Sequence, residues 1–207
     1  MREYLVKDVL PFWLEHAIDD EFGGILTCLD RTGHVYGYEK SVWFQGRALY
    51  IFSAAYNSGI KDEKYLAAAK KIYDFLPYCS DENGRMFFTV TRDGRELQKR
   101  RYYFSETFAA IGCAEYYLAT GNEEAKEKAE RYFDTAYSIY SGKCPQPPKL
   151  NPENAPYHAL SPSMIMLSTA QVLRKLNFEK YNAIAKEAVV EIQNHMTDKG
   201  LLENVGL

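Results

Sequence analysis

The feature that most constrains the fold of this 207-residue chain is an internal repeat. Residues 48–76, 109–137 and 165–193 each read as a helix, a short break and a second helix, and successive copies are 61 and 56 residues apart. Helical hairpins repeated at this period stack on one another, as an open solenoid or as a closed α/α barrel. The second helices are amphipathic, whereas the first are apolar nearly all round. This difference favours a two-ring barrel in which the first helices form the inner ring.

Short β-hairpins are predicted before the first two helical hairpins. Residues 24–36 and 85–97 alternate like strands around Arg-Thr-Gly and Arg-Asp-Gly turns. Gly33 and Gly94 are again 61 residues apart and supply the positive φ that a tight turn needs. The third copy has a Pro-rich stretch, 143–156, in place of a hairpin. An additional helix is predicted over residues 2–18, kinked or broken by Pro11.

The register of the repeat also makes a prediction about the last residues. Residues 197–207 resemble 80–90, the approach to the second hairpin, and Asp81 and Asp198 are 117 residues apart. We therefore expect the sequence to stop within the first strand of a further hairpin. Residues 1–207 are expected to form a single, truncated α/α-barrel domain.

Composition excludes several classes of function. The net charge is −3 and the longest basic tract has three residues, so nucleic acid is not expected as a partner. No segment resembles a signal peptide or an apolar run of about 20 residues, so no membrane association is expected. The four cysteines are far apart and form no C-x-x-C pair, which favours reduced thiols and a cytoplasmic location. No metal-ligand spacing and no nucleotide-binding motif is present.

The polar and aromatic residues most suited to chemistry lie at the predicted starts of the inner helices. In the segment SVWFQGR, Trp43, Gln45 and Arg47 precede a strongly apolar helix. An arginine there is costly to bury unless it is paired or faces a wet cavity. Arg47 is therefore either a fixed cation that holds a sugar oxygen or a developing oxyanion, or a member of an internal salt bridge. Residue chemistry does not decide between the two.

Two further candidates occupy the starts of the later inner helices. Glu106, in YYFSETF, is 61 residues after Gln45, so the two side chains are predicted to line one cavity. The alternative for Glu106 is an ordinary acidic residue in the first helical turn. His158, in YHALSPSM, is a candidate acid or base because histidine titrates near neutral pH. Its alternative is a loop histidine with a backbone partner.

Four stretches resemble the N-acylglucosamine 2-epimerase family, which includes cellobiose 2-epimerases and aldose–ketose isomerases. They are LPFWLEHAIDDEFGGILTCLDRTGHVY, VWFQGRALYIFSAAYN, RMFFTVTRDGRELQKRRYYFSETFAAIGCAEYY and LLENV, in family order. The resemblance implies the N-terminal half of an all-α (α/α)6 barrel. It implies that Arg47 is the catalytic cation that binds the sugar and stabilises the enolate, and that Trp43, Gln45 and Glu106 contact the substrate. His158 is kept as a substrate-binding candidate. Some members are activated by ATP, although no motif here supports an ATP site.

The resemblance favours a sugar 2-epimerase that interconverts N-acylglucosamine and N-acylmannosamine through an enediolate. The family's acid/base histidines lie in later inner helices, beyond Leu207, so the chain alone is expected to be inactive and no cofactor is expected. Either a C-terminal half or homodimerisation of two half-barrels would close the ring. The alternative function is a non-catalytic helical-repeat module that binds a carbohydrate or a protein partner.

Overall fold

A computed structural model describes residues 2–99, 103–147, 151, 153–154 and 156–206. The α-helices in these residues are α1 Arg2–Tyr4, α2 Leu10–His16, α3 Val42–Ala55, α4 Glu63–Phe75, α5 Phe104–Thr120, α6 Glu123–Tyr140, α7 Leu160–Leu173 and α8 Phe178–Gln193. The π-helical turns Leu5–Val9 and Tyr56–Ile60 and the 3-10 helix Leu76–Cys79 join them. The strands are β1 Cys28–Leu29, β2 Val35–Gly37, β3 Lys40–Ser41, β4 Thr89–Val90, β5 Glu96–Gln98, β6 Tyr157–Ala159, β7 Met196–Thr197, β8 Gly200–Leu201 and β9 Asn204–Gly206.

The three predicted helical hairpins are present as α3–α4, α5–α6 and α7–α8. The inner helices α3, α5 and α7 pack side by side, and each also packs against the outer helix that follows it. Each outer helix begins at a side-chain cap that accepts a hydrogen bond from a backbone N–H, which satisfies part of the open first turn. The caps are Asp62, Asn122 and Asn177. The caps explain why each hairpin turns where it does.

Two glycines allow the inner helices α3 and α5 to approach closely. A Cβ on Gly46 would lie 2.5 Å from the carbonyl carbon of Phe108, and a Cβ on Gly112 would lie 2.7 Å from the backbone oxygen of Gly46. Both obstacles are backbone atoms, which a rotamer change cannot move. The contact therefore depends on the absence of a side chain at both positions.

Pro11 is accommodated within a helical segment that runs from α1 to α2. The π-helical turn Leu5–Val9 ends two residues before the proline, and the Leu10 N–H donates to the Leu5 carbonyl. A proline ring clashes with the carbonyl four residues earlier, and a wider turn relieves that clash. The helical segment therefore continues through Pro11 to His16, although the sequence predicts a kink or a break at the proline.

The first two β-hairpins have the same geometry, as the 61-residue offset predicts. β1 pairs with β2 and β4 with β5, both antiparallel, with partners Leu29–Val35 and Val90–Glu96. Gly33 has φ 86° and Gly94 has φ 92°, which confirms the positive φ predicted at both turns. The alternation and the glycine were sufficient to place these turns because both are local properties.

The strands before α3 and α7 each pair with a strand from later in the chain. β3 pairs with β4 before α3, and the Val42 N–H donates to the Phe88 carbonyl. β6 pairs with β9 before α7, and the Leu160 N–H donates to the Glu203 carbonyl. Residues 196–206 are thus arranged like the approach to the second hairpin, as the sequence register predicts, although Leu207 lies outside the described residues.

A buried ion-pair network joins the loop after α2 to β3 and the β4–β5 turn. Lys40 Nζ lies 2.9 Å from Asp19 Oδ2, and both side chains are fully buried. Arg92 donates to both carboxylate oxygens of Asp19, at 2.9 and 3.0 Å. Lys40 also donates to the carbonyls of Gly23 and Arg92 and lies 4.2 Å from the Phe75 ring centroid. Because every charge is paired and hydrogen-bonded, the network can exist in the interior.

No helix in the described part of the chain is both long enough and apolar enough to cross a membrane.

Candidate functional site

An aromatic cluster forms where the first turns of α3 and α5 meet the second hairpin. The Trp43 ring lies 5.2 Å from Phe88 in a T-shaped arrangement, and 5.6 Å from both Phe104 and Phe108. Such offset and edge contacts stabilise ring pairs beyond the area that they bury. The cluster therefore holds Trp43 in a defined orientation beside the next residue on its helical face, Arg47.

Arg47 lies on this aromatic platform, one helical turn after Trp43. Its guanidinium carbon is 4.1 Å from the Phe108 ring centroid and 5.7 Å from that of Trp43. The residue is exposed, and no described residue forms a hydrogen bond or an ion pair with its guanidinium. The internal salt bridge that was the alternative for Arg47 is thus not found among the described residues. Its N–H groups are free to bind an oxygen-rich or anionic ligand.

Arg47 lies between two surfaces. One side is the aromatic platform. The other is an apolar groove of about 220 Å³ between the N-terminal helical segment and α3, and its lining includes Trp13, Phe44, Ile51 and Arg47. Arg47 is therefore the charged residue among the described lining residues of this groove.

Gln45 does not reach the surface that Arg47 occupies. Its side chain is fully buried, its Oε1 accepts from the Ile25 N–H at 2.8 Å, and its Nε2 donates to the Ile25 carbonyl at 2.7 Å. The sequence predicts that Gln45 lines a substrate cavity. Contact of Gln45 with a substrate stays a prediction; in the structure its amide fastens the loop before β1 to the first turn of α3.

Glu106 has the same role one unit later, which explains why the two residues are 61 positions apart. It is fully buried, and its Oε1 accepts from the Met86 N–H at 3.1 Å and from Arg85 Nε at 2.7 Å. Ile25 and Met86 are equivalent hairpin residues. The prediction that Glu106 contacts a substrate likewise stays a prediction; in the structure, Gln45 and Glu106 each fasten the start of an inner helix to the backbone at an equivalent position, Ile25 or Met86.

His158 is placed away from Arg47. It lies in β6, its backbone pairs with that of Val205, and its side chain is exposed. It lines a cavity of about 690 Å³ formed by the ends of α6 and α8 and the start of α7. This cavity shares none of its described lining residues with the groove beside Arg47. The structure thus brings together only Trp43 and Arg47 from the residues predicted by sequence.

Sequence reasoning missed Phe88, Phe104 and Phe108, which complete the platform. A signal was available in the spacing, because Trp43 and Arg47 are four residues apart, as are Phe104 and Phe108. Residues at this spacing lie on one face of a helix. Which face would meet the neighbouring helix depends on the approach of α3 to α5 at Gly46. Among the residues that the structure describes, no three His, Cys, Asp or Glu side chains are arranged to hold a metal ion.

The sequence matches a known protein family and is similar to several known proteins. Residues 23–200 match the N-acylglucosamine 2-epimerase (GlcNAc 2-epimerase) family. The human N-acylglucosamine 2-epimerase is 35% identical over 131 residues, which are 61% of this chain and 31% of the human protein. The cellobiose 2-epimerase of Eubacterium cellulosolvens is 32% identical over 133 residues, which are 63% of this chain and 32% of that protein.

The solved structure of cellobiose 2-epimerase from Bacillus thermoamylovorans B4167 superimposes with a TM-score of 0.82 at 24% identity. The superposition covers 96% of this chain and 55% of that one. The alignments thus span about a third of the curated relatives and just over half of the solved chain. This likeness confirms the predicted fold class, the N-terminal half of an (α/α)6 barrel.

Proposed function

Because the chain belongs to the N-acylglucosamine 2-epimerase family, we propose that it supplies the sugar-binding cation of a 2-epimerase that interconverts N-acylglucosamine and N-acylmannosamine. The observation that supports this most directly is Arg47, an exposed guanidinium held on the faces of Phe108 and Trp43 without an ionic partner among the described residues.

The reaction requires a base, an acid and a group that stabilises an oxyanion. A base removes the C2 proton of the open-chain sugar, and the C–H electron pair forms a C1–C2 double bond while negative charge moves to the C1 oxygen. Arg47 is the group that would bind this oxygen and lower the energy of the enediolate. An acid on the opposite face of C2 then returns a proton, which inverts the configuration.

The aromatic platform gives this cation a fixed position. Interactions with ring faces hold the guanidinium while leaving its N–H groups free for the ligand. The Trp43 ring also offers a face against which the C–H groups of a sugar can pack. Trp43 and Arg47 would therefore bind and orient the substrate, whereas Gln45 and Glu106 would position the helix starts that carry them.

We propose that the proton-transfer groups belong to other inner helices of the barrel, as the family resemblance implies. Around the Arg47 guanidinium, the structure shows aromatic and aliphatic side chains and no described carboxylate or imidazole in contact. His158 lines a different cavity, so it receives no acid/base role here. The chain alone is accordingly proposed to be inactive.

The second candidate function is a non-catalytic helical-repeat module that binds a carbohydrate or a protein. The apolar groove beside Arg47 favours it, because this groove and the exposed Ile51 present apolar surface to a partner. A half-barrel that dimerises into a complete enzyme is a third arrangement, and it would need an acid/base group from these 207 residues.

Exchange of the C2 proton distinguishes these candidates. N-acetylglucosamine and N-acetylmannosamine are incubated in D2O with this chain and with a polypeptide extended by the C-terminal half of the barrel, and deuterium at C2 is followed by NMR. We expect exchange with the extended polypeptide only, and a loss of at least about 100-fold for Arg47→Ala, since one lost oxyanion contact costs about 10²–10³ in rate.

The matched control is Arg131→Ala, which removes an exposed arginine from the outer helix α6 and leaves the platform intact. Its exchange rate should equal that of the unsubstituted protein. Full exchange in the Arg47→Ala protein would exclude the proposed role of Arg47. Exchange catalysed by the unextended chain would instead favour the dimeric enzyme.

A further inference from the structure

The cavity that contains His158 has a lining unlike that of the groove beside Arg47. Its volume is about 690 Å³, and tyrosines from three different segments contribute to its wall: Tyr103 before α5, Tyr137 and Tyr140 in α6, and Tyr157 in β6. Aromatic rings with a polar tip present both an apolar face and a hydrogen-bonding group to a ligand.

The break in the repeat explains why a cavity exists at this place. In the first two units, Gln45 and Glu106 fasten a hairpin residue to the start of an inner helix. The equivalent residue of the third unit, 56 positions after Glu106, is Pro162, whose side chain has no hydrogen-bonding group. Pro162 lines the cavity, and the described residues between α6 and β6 form no hairpin that would fill it.

One wall residue has a hydrogen-bonding group that the protein does not use. Tyr103 is 5% exposed, and its Oη is buried without a hydrogen-bond partner among the described residues. Burial raises the pKa of Tyr103, so its hydroxyl stays protonated at neutral pH and can donate. A buried hydroxyl without a partner costs stability, and a ligand in the cavity that accepts its proton would remove that cost.

The charged groups of the wall define the class of ligand. Glu187 and Glu191 line the cavity one helical turn apart on α8, and none of the described lining residues is a lysine or an arginine. Tyr137 donates to Glu187 Oε2 at 2.8 Å, which leaves Glu191 as the acceptor for a ligand. His195 Nδ1 lies 3.0 Å from the Leu202 carbonyl, a contact in which this nitrogen donates. Acceptors and aromatic faces without a cation suit hydroxyl-rich ligands and disfavour anions.

We propose that this cavity is a binding site for a neutral monosaccharide in its ring form. The Tyr103 hydroxyl donates to a sugar oxygen, Glu191 accepts from a sugar hydroxyl, and tyrosine rings pack against the C–H faces of the sugar. The site does not depend on the proposed epimerase activity, because it lies apart from Arg47 and needs no open-chain substrate.

An NMR titration tests the site on the chain as it is. Methyl α-D-glucopyranoside is added to ¹⁵N-labelled protein, because its locked ring cannot open for epimerisation. We expect saturable shifts at the amides of β6, the first turn of α7 and the end of α8. Tyr103→Phe should weaken the affinity about tenfold, the effect of losing one well-placed hydrogen bond. Glucose 6-phosphate should bind more weakly than the neutral sugar.

Tyr181→Phe is the matched control, since the Tyr181 hydroxyl is also buried without a partner among the described residues but does not line the cavity. It should leave the affinity unchanged. Tyr103→Phe should preserve or raise the melting temperature while it weakens binding, a combination that a purely structural tyrosine would not show. Arg47→Ala should also leave this affinity unchanged. The proposal is overturned if no saturable shift occurs, if the shifts surround Arg47 and disappear in Arg47→Ala, or if the phosphate ester binds more tightly.

Discussion

At the scale of single residues, the same chemical type serves different purposes according to its partners. Arg92 is paired with Asp19 in a buried network. Among the described residues, Arg47 contacts only ring faces, so its N–H groups remain available to a ligand. Burial by itself raises the pKa of Asp19, but the hydrogen bonds from Arg92 and Lys40 outweigh that effect and lower it to about 2. Asp19 is therefore charged at neutral pH.

This carboxylate leads to a prediction about acid stability. The pKa of Asp19 is lower in the folded protein than in the unfolded chain, where it is about 3.9. Its stabilising effect is complete above the unfolded value and is lost as the pH falls towards 2. Asp19→Asn should cost about 3–5 kcal/mol at pH 7, because Lys40 would remain buried without its counter-ion. It should also flatten the dependence of the unfolding free energy on pH between about 4 and 2.

The measurement is urea unfolding at a series of pH values, followed by circular dichroism. The control is Asp20→Asn. The Asp20 carboxylate pairs with Lys71 at the surface, and the Asp20 side chain is 78% exposed. The substitution should change the stability little, because exposed ion pairs contribute little. Equal losses of unfolding free energy for the two substitutions would show that the buried network stabilises the protein no more than an exposed ion pair.

At the scale of elements, the contact between α3 and α5 depends on Gly46 and Gly112. In an isolated helix, alanine would be preferred to glycine by roughly 1 kcal/mol. Here the added Cβ would lie 2.5 Å from backbone atoms of α5, and the two helices would have to separate. Separation would also disturb the platform, because Trp43 and Phe108 belong to these helices.

We therefore expect Gly46→Ala to destabilise the protein by about 1–3 kcal/mol, the usual cost of overpacking a core. Differential scanning calorimetry measures the effect. Gly206→Ala is the control, since a Cβ at Gly206 would meet no atom within 4 Å and its φ is not positive. An unchanged or raised melting temperature for Gly46→Ala would contradict the close approach.

At the scale of the whole molecule, Glu115 connects all three helical hairpins. It is 1% exposed, at the end of α5 away from the β-hairpins. Asn57 Nδ2, from the turn after α3, donates to its carboxylate at 2.8 Å and to its backbone oxygen at 3.0 Å. Lys175, from the turn after α7, forms an ion pair with its other carboxylate oxygen. Repeat proteins gain cooperativity from contacts between neighbouring units, and this residue supplies one to each neighbour.

Glu115→Ala should therefore loosen the third unit as well as lower the overall stability by about 0.5–1.5 kcal/mol, the net contribution of a hydrogen bond, since the Asn57 amide loses its side-chain partner. Hydrogen exchange measured by mass spectrometry should increase in α7 and α8 relative to α3. Glu123→Gln, whose carboxylate is 70% exposed and 4.0 Å from Lys126, should change neither quantity. Unaltered exchange in α7 and α8 would mean that the units are coupled by apolar packing alone.

The sequence by itself determined the repeat, the order of the helices, the glycine turns at Gly33 and Gly94 and the family. These depend on periodicity, on permitted φ values and on motif order, all of which are properties of the chain. Only the tertiary structure decided where the polar side chains go. Gln45 and Glu106 have the right spacing for a shared cavity, yet both turn to hairpin backbones, and His158 lines a cavity of its own. The partner of a side chain is set by elements packed beside it from distant parts of the sequence, and spacing along one helix does not contain that information.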